Sequence, residues 1–322
     1  MLAKNIYPIC TTSFRTFSLS NPKFKEFYNK MGKPILFDVT LRDGLQALSK
    51  EAQNEFTTNK KLEIYKDVIA KYEVKNVEIG SIVSEKVLPI FKDTLQLLEF
   101  AKKYQNENQN EKINNFILVP NKEKLKTIID NVDVQCFSFI TSISNSFQVK
   151  NTKMNLKQSD QETYEMLHLI HKKIYQQQQI PIVKLYVSCI NECPIEGKID
   201  NDFIVNRILM LSKMNVDNIC LSDTCGTITV EDFEYIIETI LYFGLSPDRI
   251  SLHLHVNPDR EDIVEQIIHK AFDFKINQFD VSNLKTGGCS VTMSKENLAA
   301  NLSYELFYKS FVNYVKKLNK NK

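Results

Sequence analysis

Short apolar runs alternate with longer amphipathic stretches along most of the chain. Eight of these runs have the length and composition of buried strands, and helix-like segments separate them. Within residues 61–72, for example, apolar side chains recur at helical spacing. The predicted strands cover residues 35–39, 76–79, 116–119, 134–140, 183–187, 218–221, 250–253 and 278–281.

Eight strand–helix units in roughly 250 residues are typical of an α/β fold, the (β/α)8 TIM barrel. A doubly wound open sheet is the alternative fold. Helical periodicity over residues 298–318 predicts additional C-terminal helices outside the barrel repeat. We therefore expect a single TIM-barrel catalytic domain over residues 31–322, with its chemistry at the carboxyl ends of the strands.

Two polar motifs follow predicted strands that lie far apart in the sequence. Arg42, Asp43 and Gly44 follow the first strand, and His253-Leu-His255 ends the seventh. Alternate residues of a strand point to the same side, so both imidazoles can face one point. Two imidazoles and a carboxylate form half of an octahedral site for a divalent metal. Alone, the first motif is typical of a turn and the second of a buried strand, but together they favour a functional site.

Composition limits the classes of partner. The chain of 322 residues is 43% hydrophobic and carries a net charge of +2, so nothing in it favours nucleic acid as a partner. No apolar run reaches the roughly 18 residues that a membrane span requires, so we expect no membrane partner. The seven cysteines are odd in number and scattered, a pattern typical of a reducing compartment.

The N-terminal segment has its own composition. Its first 25 residues contain no Asp or Glu but include Lys4, Arg15 and many hydroxyl side chains. This pattern predicts a mitochondrial transit peptide within residues 1–30, cleaved near Ser18, and hence a location in the mitochondrial matrix. A disordered N-terminus without a targeting role is the alternative.

The strand-end motifs belong to a larger set of segments with a family resemblance. The segment FDVTLRDGLQ at residues 37–46 resembles the signature of metal-dependent barrel lyases and synthases that make or break a carbon–carbon bond. The segment YVSCINECPIEGK at 186–198 is similar to 3-hydroxy-3-methylglutaryl-CoA lyases in particular, and the synthases do not share it. The resemblance extends over residues 78–84, 119–121, 144–147, 222–226, 253–255, 287–289 and 297–299.

The resemblance implies a fold, an activity and a set of site residues. The implied enzyme cleaves 3-hydroxy-3-methylglutaryl-CoA to acetyl-CoA and acetoacetate, a reaction of leucine degradation and ketone body formation. Its partner would be an acyl-CoA substrate and its cofactor a divalent metal, Mg²⁺ or Mn²⁺, and a homodimer is possible in this family. The implied metal ligands are Asp43, His253, His255 and Asn297, and the implied catalytic residues are Arg42, Cys289, His253, Glu78 and Asp223.

Three departures from the family pattern leave two alternatives open. Val256 stands where the family has Asp, Lys184 stands where it has Arg, and the loop after Cys289 lacks the family's proline and further glycines. One alternative is a condensing synthase of the same barrel family, which the segment at 186–198 disfavours. The other is a catalytically drifted, non-enzymatic paralogue, which the altered loop favours and the retained metal ligands disfavour.

Overall fold

Parallel strands form the centre of the protein in a computed structural model. The structure describes residues 28, 32–108, 112–130, 132–176, 180–288 and 298–320. The strands in chain order are β1 (Ile35–Asp38), β2 (Asn76–Ser81), β3 (Asn114–Leu118), β4 (Cys136–Ser142), β5 (Ile182–Ser188), β6 (Glu192–Cys193), β7 (Gly197–Lys198), β8 (Asn218–Asp223), β9 (Ile250–Val256), β10 (Gln278–Val281) and β11 (Ala300–Asn301).

The sheet closes on itself and forms a TIM barrel. Strands β1, β2, β3, β4, β5, β8, β9 and β10 pair in parallel in that order, and β10 pairs with both β9 and β1. Because both ends of the sheet pair with each other, the open-sheet alternative is wrong and the predicted barrel is confirmed. Strands β6 and β7 form a short antiparallel hairpin, and β11 pairs antiparallel with the end of β9.

Helices surround the barrel and connect successive strands. They are α1 (Lys50–Gln53), α2 (Thr58–Tyr72), α3 (Thr94–Asn108), α4 (Lys122–Ile129), α5 (Asn145–Thr152), α6 (Leu156–Gln176), α7 (Asn201–Leu211), α8 (Val230–Tyr242), α9 (Glu261–Asp273) and α10 (Tyr304–Lys320). Helix α10 confirms the C-terminal helical addition. Among the described residues, no helix is both long enough and apolar enough to cross a bilayer.

Polar side chains mark where several helices begin. Helix α2 starts three residues earlier than the apolar periodicity predicts, because Thr57 caps it by accepting the Lys60 N–H. The side chains of Asn121, Ser144 and Thr229 cap α4, α5 and α8 in the same way. Such caps satisfy N–H groups that have no partner within the helix, so they position each helix relative to the strand before it.

The core has two layers with different roles. The larger layer lies between strands and helices and holds most of the buried aliphatic and aromatic side chains. The smaller layer fills the barrel interior, where Phe37, Phe116 and Cys136 form one cluster and Tyr186 and Cys220 join another. Filling of the barrel by side chains from several strands is typical of this fold, and it gives the functional site a packed floor.

A buried carboxylate on β1 predicts a pH-dependent stability. Burial raises the pKa of Asp38 from 3.8 to about 6, although Tyr304 and Thr40 donate hydrogen bonds to it. Because its pKa is lower in the unfolded chain, its contribution to stability is present below about pH 4 and is lost as the pH rises through about 6. We expect Asp38→Asn to remove a loss of about 3 kcal/mol between pH 4 and 7.

Urea unfolding of the wild type and of Asp38→Asn at several pH values measures this difference. The exposed Asp67→Asn variant is the control and should keep the wild-type profile. Parallel profiles for the wild type and Asp38→Asn would contradict the prediction.

Candidate active site and metal centre

Asp43, His253 and His255 converge at the carboxyl end of the barrel strands. Asp43 lies in the turn Thr40–Gly44 that follows β1, and the two histidines are alternate residues of β9. Their possible ligand atoms all lie within 4.8 Å of one another, and all three residues are buried. Asp43 Oδ2 lies 3.8 Å from His253 Nε2 and 3.6 Å from His255 Nε2. The structure therefore brings together these three sequence-predicted ligands.

Each imidazole is held by its other ring nitrogen. His255 Nδ1 donates to the main-chain carbonyl of Asp223 at 3.1 Å, and His253 Nδ1 lies 3.1 Å from Asp280 Oδ2. Both Nε2 atoms consequently face Asp43. His255 Nε2 is buried without a hydrogen-bond partner among the described residues. A buried nitrogen without a partner costs free energy, and a cation between these three side chains would remove that cost. The residues thus form a possible metal site.

The charges at this point favour a cation. Burial works against ionisation of Asp43, but the Arg42 guanidinium and the two facing imidazoles together outweigh it and hold the pKa of Asp43 well below its usual range. Burial lowers the pKa of His253, so its imidazole is neutral as a metal ligand must be. Burial also disfavours the charged form of His255, yet the facing Asp43 carboxylate raises the pKa of His255. A divalent cation would take the place of the proton that Asp43 favours on His255 Nε2.

Arg42 is held rigidly beside the metal site. Its Nε donates to Glu78 on β2, and its Nη1 donates to Asp43 Oδ1, the carboxylate oxygen that does not face the histidines. The Tyr186 hydroxyl donates to the same Glu78 oxygen at 3.2 Å, and the guanidinium carbon lies 5.1 Å from the centre of the Tyr186 ring. Glu78 and Tyr186 therefore fix a buried positive charge, which can stabilise negative charge that develops on a bound reactant.

Asp223, whose catalytic role stays a prediction, contacts the site with both its side chain and its main chain. Its carboxylate accepts the N–H groups of Thr227 at 3.2 Å and Ile228 at 3.1 Å, in the loop after β8. Its main-chain carbonyl, by contrast, holds His255. Gly226 permits this arrangement, because its φ is +66° and an added Cβ would lie 2.9 Å from the His255 carbonyl oxygen. Asp223 thus shapes the loop and orients a histidine.

Two sequence-predicted site residues, Cys289 and Asn297, lie outside the described residues. The chain is described up to Gly288, whose N–H donates to Asp43 Oδ2 at 3.0 Å. The residue that precedes Cys289 in the sequence is therefore in direct contact with a candidate metal ligand. The roles assigned to Cys289 and Asn297 stay predictions.

Sequence reasoning missed Asp280 and Tyr186 as members of the site. Asp280 lies on β10 and contacts both His253 and Lys184. Its signal in the sequence is a charged residue within a short strand that was expected to be buried. Tyr186 begins the segment at 186–198, which by sequence alone is only a family marker. A contact with Arg42 could not be inferred from its position in the sequence.

A cavity of about 540 Å³ joins the metal site to the rim of the barrel. Arg42, Asp43 and both β9 histidines line its inner end. Lys124 of α4, with Lys150 and Lys153 at the end of α5, lines its rim. Between the two ends the wall is mainly apolar and includes Val83, Val87, Leu88, Leu118, Ile140 and Phe147.

Comparison with known proteins identifies the family. The family model described as HMGL-like matches residues 33–260. The chain belongs to the HMGL-like family. It is 24% identical over 257 residues to the 3-hydroxy-3-isohexenylglutaryl-CoA/hydroxy-methylglutaryl-CoA lyase of Pseudomonas aeruginosa, an alignment that covers 80% of this chain and 78% of that protein.

Mitochondrial hydroxymethylglutaryl-CoA lyases are also similar to part of the chain. The protein of Macaca fascicularis is 25% identical over 220 residues, which are 68% of this chain. The aligned part of the chain spans 62% of the macaque protein and 48% of the protein of Arabidopsis thaliana.

Solved structures show the same fold. The hydroxymethylglutaryl-CoA lyase of Pseudomonas aeruginosa has a TM-score of 0.71 at 22% identity, with 88% of this chain and 86% of that chain covered. An HMG-CoA lyase of Acinetobacter baumannii in complex with coenzyme A and 3-methylmalate has a TM-score of 0.69 at 20% identity, with 89% and 90% covered.

Removal of one ligand charge tests the metal site. We expect Asp43→Asn to weaken Mn²⁺ binding by roughly 100-fold or more, because the only carboxylate of the triad becomes a neutral amide. Isothermal calorimetry without substrate measures the affinity. The matched control is Asp133→Asn, an exposed aspartate paired with Lys102, which should bind Mn²⁺ like the wild type. Equal affinities for Asp43→Asn and the wild type would exclude this site.

Proposed function

We propose that this protein is a divalent metal-dependent lyase that cleaves 3-hydroxy-3-methylglutaryl-CoA to acetyl-CoA and acetoacetate. The observation that carries the proposal is the convergence of Asp43, His253 and His255 beside the fixed charge of Arg42. The similarity to hydroxymethylglutaryl-CoA lyases supports the choice of substrate.

The residues at the inner end of the cavity fit a divalent cation. Asp43, His253 and His255 would hold Mg²⁺ or Mn²⁺, and the family resemblance adds Asn297 as a further ligand. When bound, the cation supplies positive charge that lowers the pKa of the substrate hydroxyl and fixes its orientation. The orphaned Nε2 of His255 is the structural feature that this ligand set explains.

During cleavage, negative charge passes from the substrate hydroxyl to the departing thioester, and side chains of the protein can stabilise it. A proton carrier takes the proton of the 3-hydroxyl group. The carbon–carbon bond then breaks, the hydroxyl oxygen becomes the ketone oxygen of acetoacetate, and the electron pair of the broken bond passes to the departing thioester enolate. Arg42 lies beside the metal site and would stabilise the enolate oxygen. The enolate then takes a proton and becomes acetyl-CoA. By resemblance, Cys289 is the proposed proton carrier and His253 the alternative one.

The rim of the cavity fits the phosphate groups of coenzyme A. Lys124, Lys150 and Lys153 contribute three positive side chains to one side of the opening. Within the described part of the chain, the Lys124 ammonium makes no ion pair, so its charge is open to a ligand. The apolar wall between rim and metal site would contact the uncharged arm that links the phosphates to the thioester.

The two alternatives make different demands on the site. A condensing synthase of the same barrel would use a similar metal and arginine but would consume an acyl-CoA rather than release acetoacetate. A non-enzymatic paralogue has no need to keep Arg42 buried among acidic partners, which is costly without a function.

The matrix location and the homodimer stay predictions, because the N-terminal 27 residues and any second subunit lie outside the described structure.

A coupled assay of acetoacetate release tests the proposed reaction. We expect release from 3-hydroxy-3-methylglutaryl-CoA only with added Mn²⁺ or Mg²⁺. We expect Arg42→Gln to reduce kcat by about 10²–10³ while KM changes little, because the enolate charge is fully developed only near the transition state. Because Arg42 contacts Asp43, the Mn²⁺ affinity of the variant must be measured as well.

Other outcomes of these assays would support one of the two alternative functions or a different role for Arg42. Consumption of acetyl-CoA with a keto acid, without acetoacetate release, would identify a synthase. Tight Mn²⁺ binding without turnover of either substrate would favour the non-enzymatic paralogue. An increase in KM at unchanged kcat in Arg42→Gln would show that Arg42 only binds substrate.

A lysine variant tests the assignment of the cavity rim. We expect Lys124→Ala to raise KM for the acyl-CoA by roughly threefold to tenfold, as expected for one partly exposed charge contact. The KM for the corresponding pantetheine thioester, which lacks the nucleotide phosphates, should stay unchanged. Lys126→Ala is the matched control, because Lys126 lies on the same helix and pairs with Glu123 outside the cavity. An equal change for both thioesters would contradict the assignment.

A further inference from the structure

A lysine lies buried inside the barrel, below the metal site. Lys184 of β5 is 2% exposed, and its ammonium contacts Asp280 of β10. The ammonium nitrogen also lies 3.5 Å from the centre of the Phe37 ring and 4.8 Å from that of Tyr186. One carboxylate and two aromatic faces therefore compensate a positive charge that is almost entirely buried.

Asp280 connects this lysine to a candidate metal ligand. One carboxylate oxygen accepts from Lys184, and the other lies 3.1 Å from His253 Nδ1 and 3.6 Å from the Cys220 thiol. The contacts form a continuous series from Lys184 through Asp280 to His253. Its far end is the Nε2 atom that faces Asp43.

The Nδ1 atoms of the two histidines face different kinds of partner. His255 Nδ1 faces a main-chain carbonyl, which can only accept, so its proton must lie on Nδ1. His253 Nδ1 lies 3.1 Å from Asp280 Oδ2, so the ring position depends on where that carboxyl group is held. A proton donated from Nδ1 to this oxygen leaves the lone pair on Nε2. Lys184 donates to the other oxygen of the same carboxyl group and so fixes the position of Asp280.

We propose that Lys184 is a positioning residue for the metal centre. Its buried ammonium pairs with Asp280, and Asp280 fixes the His253 ring with the Nε2 lone pair directed at the point shared with Asp43 and His255. Lys184 does not line the cavity, and its contact with the triad runs through Asp280. The inference depends on the metal site of the proposed function, but not on which reaction that site performs.

A second buried pair provides a matched control. Lys61 of α2 is also buried, and its ammonium lies 2.6 Å from Asp93. This pair makes the same kind of contact but does not line the cavity or touch the triad. A purely structural effect of losing a buried ion pair should therefore appear equally in Lys184→Met and Lys61→Met.

Calorimetric titration with Mn²⁺, without substrate, tests the proposal. We expect Lys184→Met and Asp280→Asn each to weaken Mn²⁺ binding by about 10–100-fold, as is usual for loss of a residue that orients a ligand. Lys61→Met should have a lowered Tm but wild-type affinity for Mn²⁺. Lys184→Arg keeps the positive charge and should bind Mn²⁺ like the wild type. The double variant Lys184→Met/Asp280→Asn should bind Mn²⁺ no more weakly than Asp280→Asn alone, because Lys184 acts through Asp280. Wild-type affinity in Lys184→Met, or an equal loss in Lys61→Met, would overturn the proposal.

The ring proton of His253 gives a readout that requires no metal. In ¹⁵N-histidine-labelled, metal-free protein, we expect the His253 signals to show the proton on Nδ1 in the wild type and partly on Nε2 in Lys184→Met. If Lys184→Met does not fold, Asp280→Asn serves for the same measurement, and an unchanged proton position in it would overturn the proposal. A wild type that binds no divalent cation would refute the proposed metal site and, with it, a role of Lys184 at a metal centre. Metal binding that is normal in the wild type and unchanged in Lys184→Met would overturn the positioning role alone.

Discussion

Closure of the barrel is the constraint on which the rest of this structure depends. The pairing of β10 with both β1 and β9 places the turn after β1 next to the carboxyl end of β9. Asp43 and the histidines 253 and 255 come from opposite ends of the sequence and meet only because the sheet closes. An open sheet of the same strands would leave β1 and β9 apart, and the triad would not form.

Closure also concentrates charge inside the protein, and the side chains compensate it locally. Arg42 lies between the carboxylates of Asp43 and Glu78, and Lys184 pairs with Asp280. Removing one partner of such a buried pair is strongly destabilising, because it leaves a charge without compensation. The groups around the triad are therefore interdependent, and their positions are defined more sharply than those of surface charges.

One end of the cavity is built for a cation and the other carries positive charge for an anion. The triad and Arg42 lie on rigid elements, at a strand end and a buried turn, whereas the lysines lie at the rim on α4 and after α5. This division matches a reactant with a small reacting group and a distant polyanionic part. Rigid support is what a metal site requires, because small displacements of ligands weaken it.

The sequence by itself determined the repeating architecture and the principal ligands. Strand and helix periodicity predicted all eight barrel strands, because burial on the core side imposes a pattern that can be read locally. Alternation along β9 predicted that both histidines face one point, since the direction of side chains in a strand depends only on their spacing. The turn after β1 and the family resemblance indicated Asp43, Arg42 and Glu78.

Only the tertiary structure decided how those ligands are held. Asp223 orients His255 through a main-chain carbonyl, which every residue type possesses, so its identity carries no signal for that contact. Asp280 and Lys184 come from strands far apart in the sequence, and their contact with His253 exists only in the barrel interior. Residue spacing predicts which face of a strand a side chain occupies, but contacts between strands depend on how the whole sheet closes.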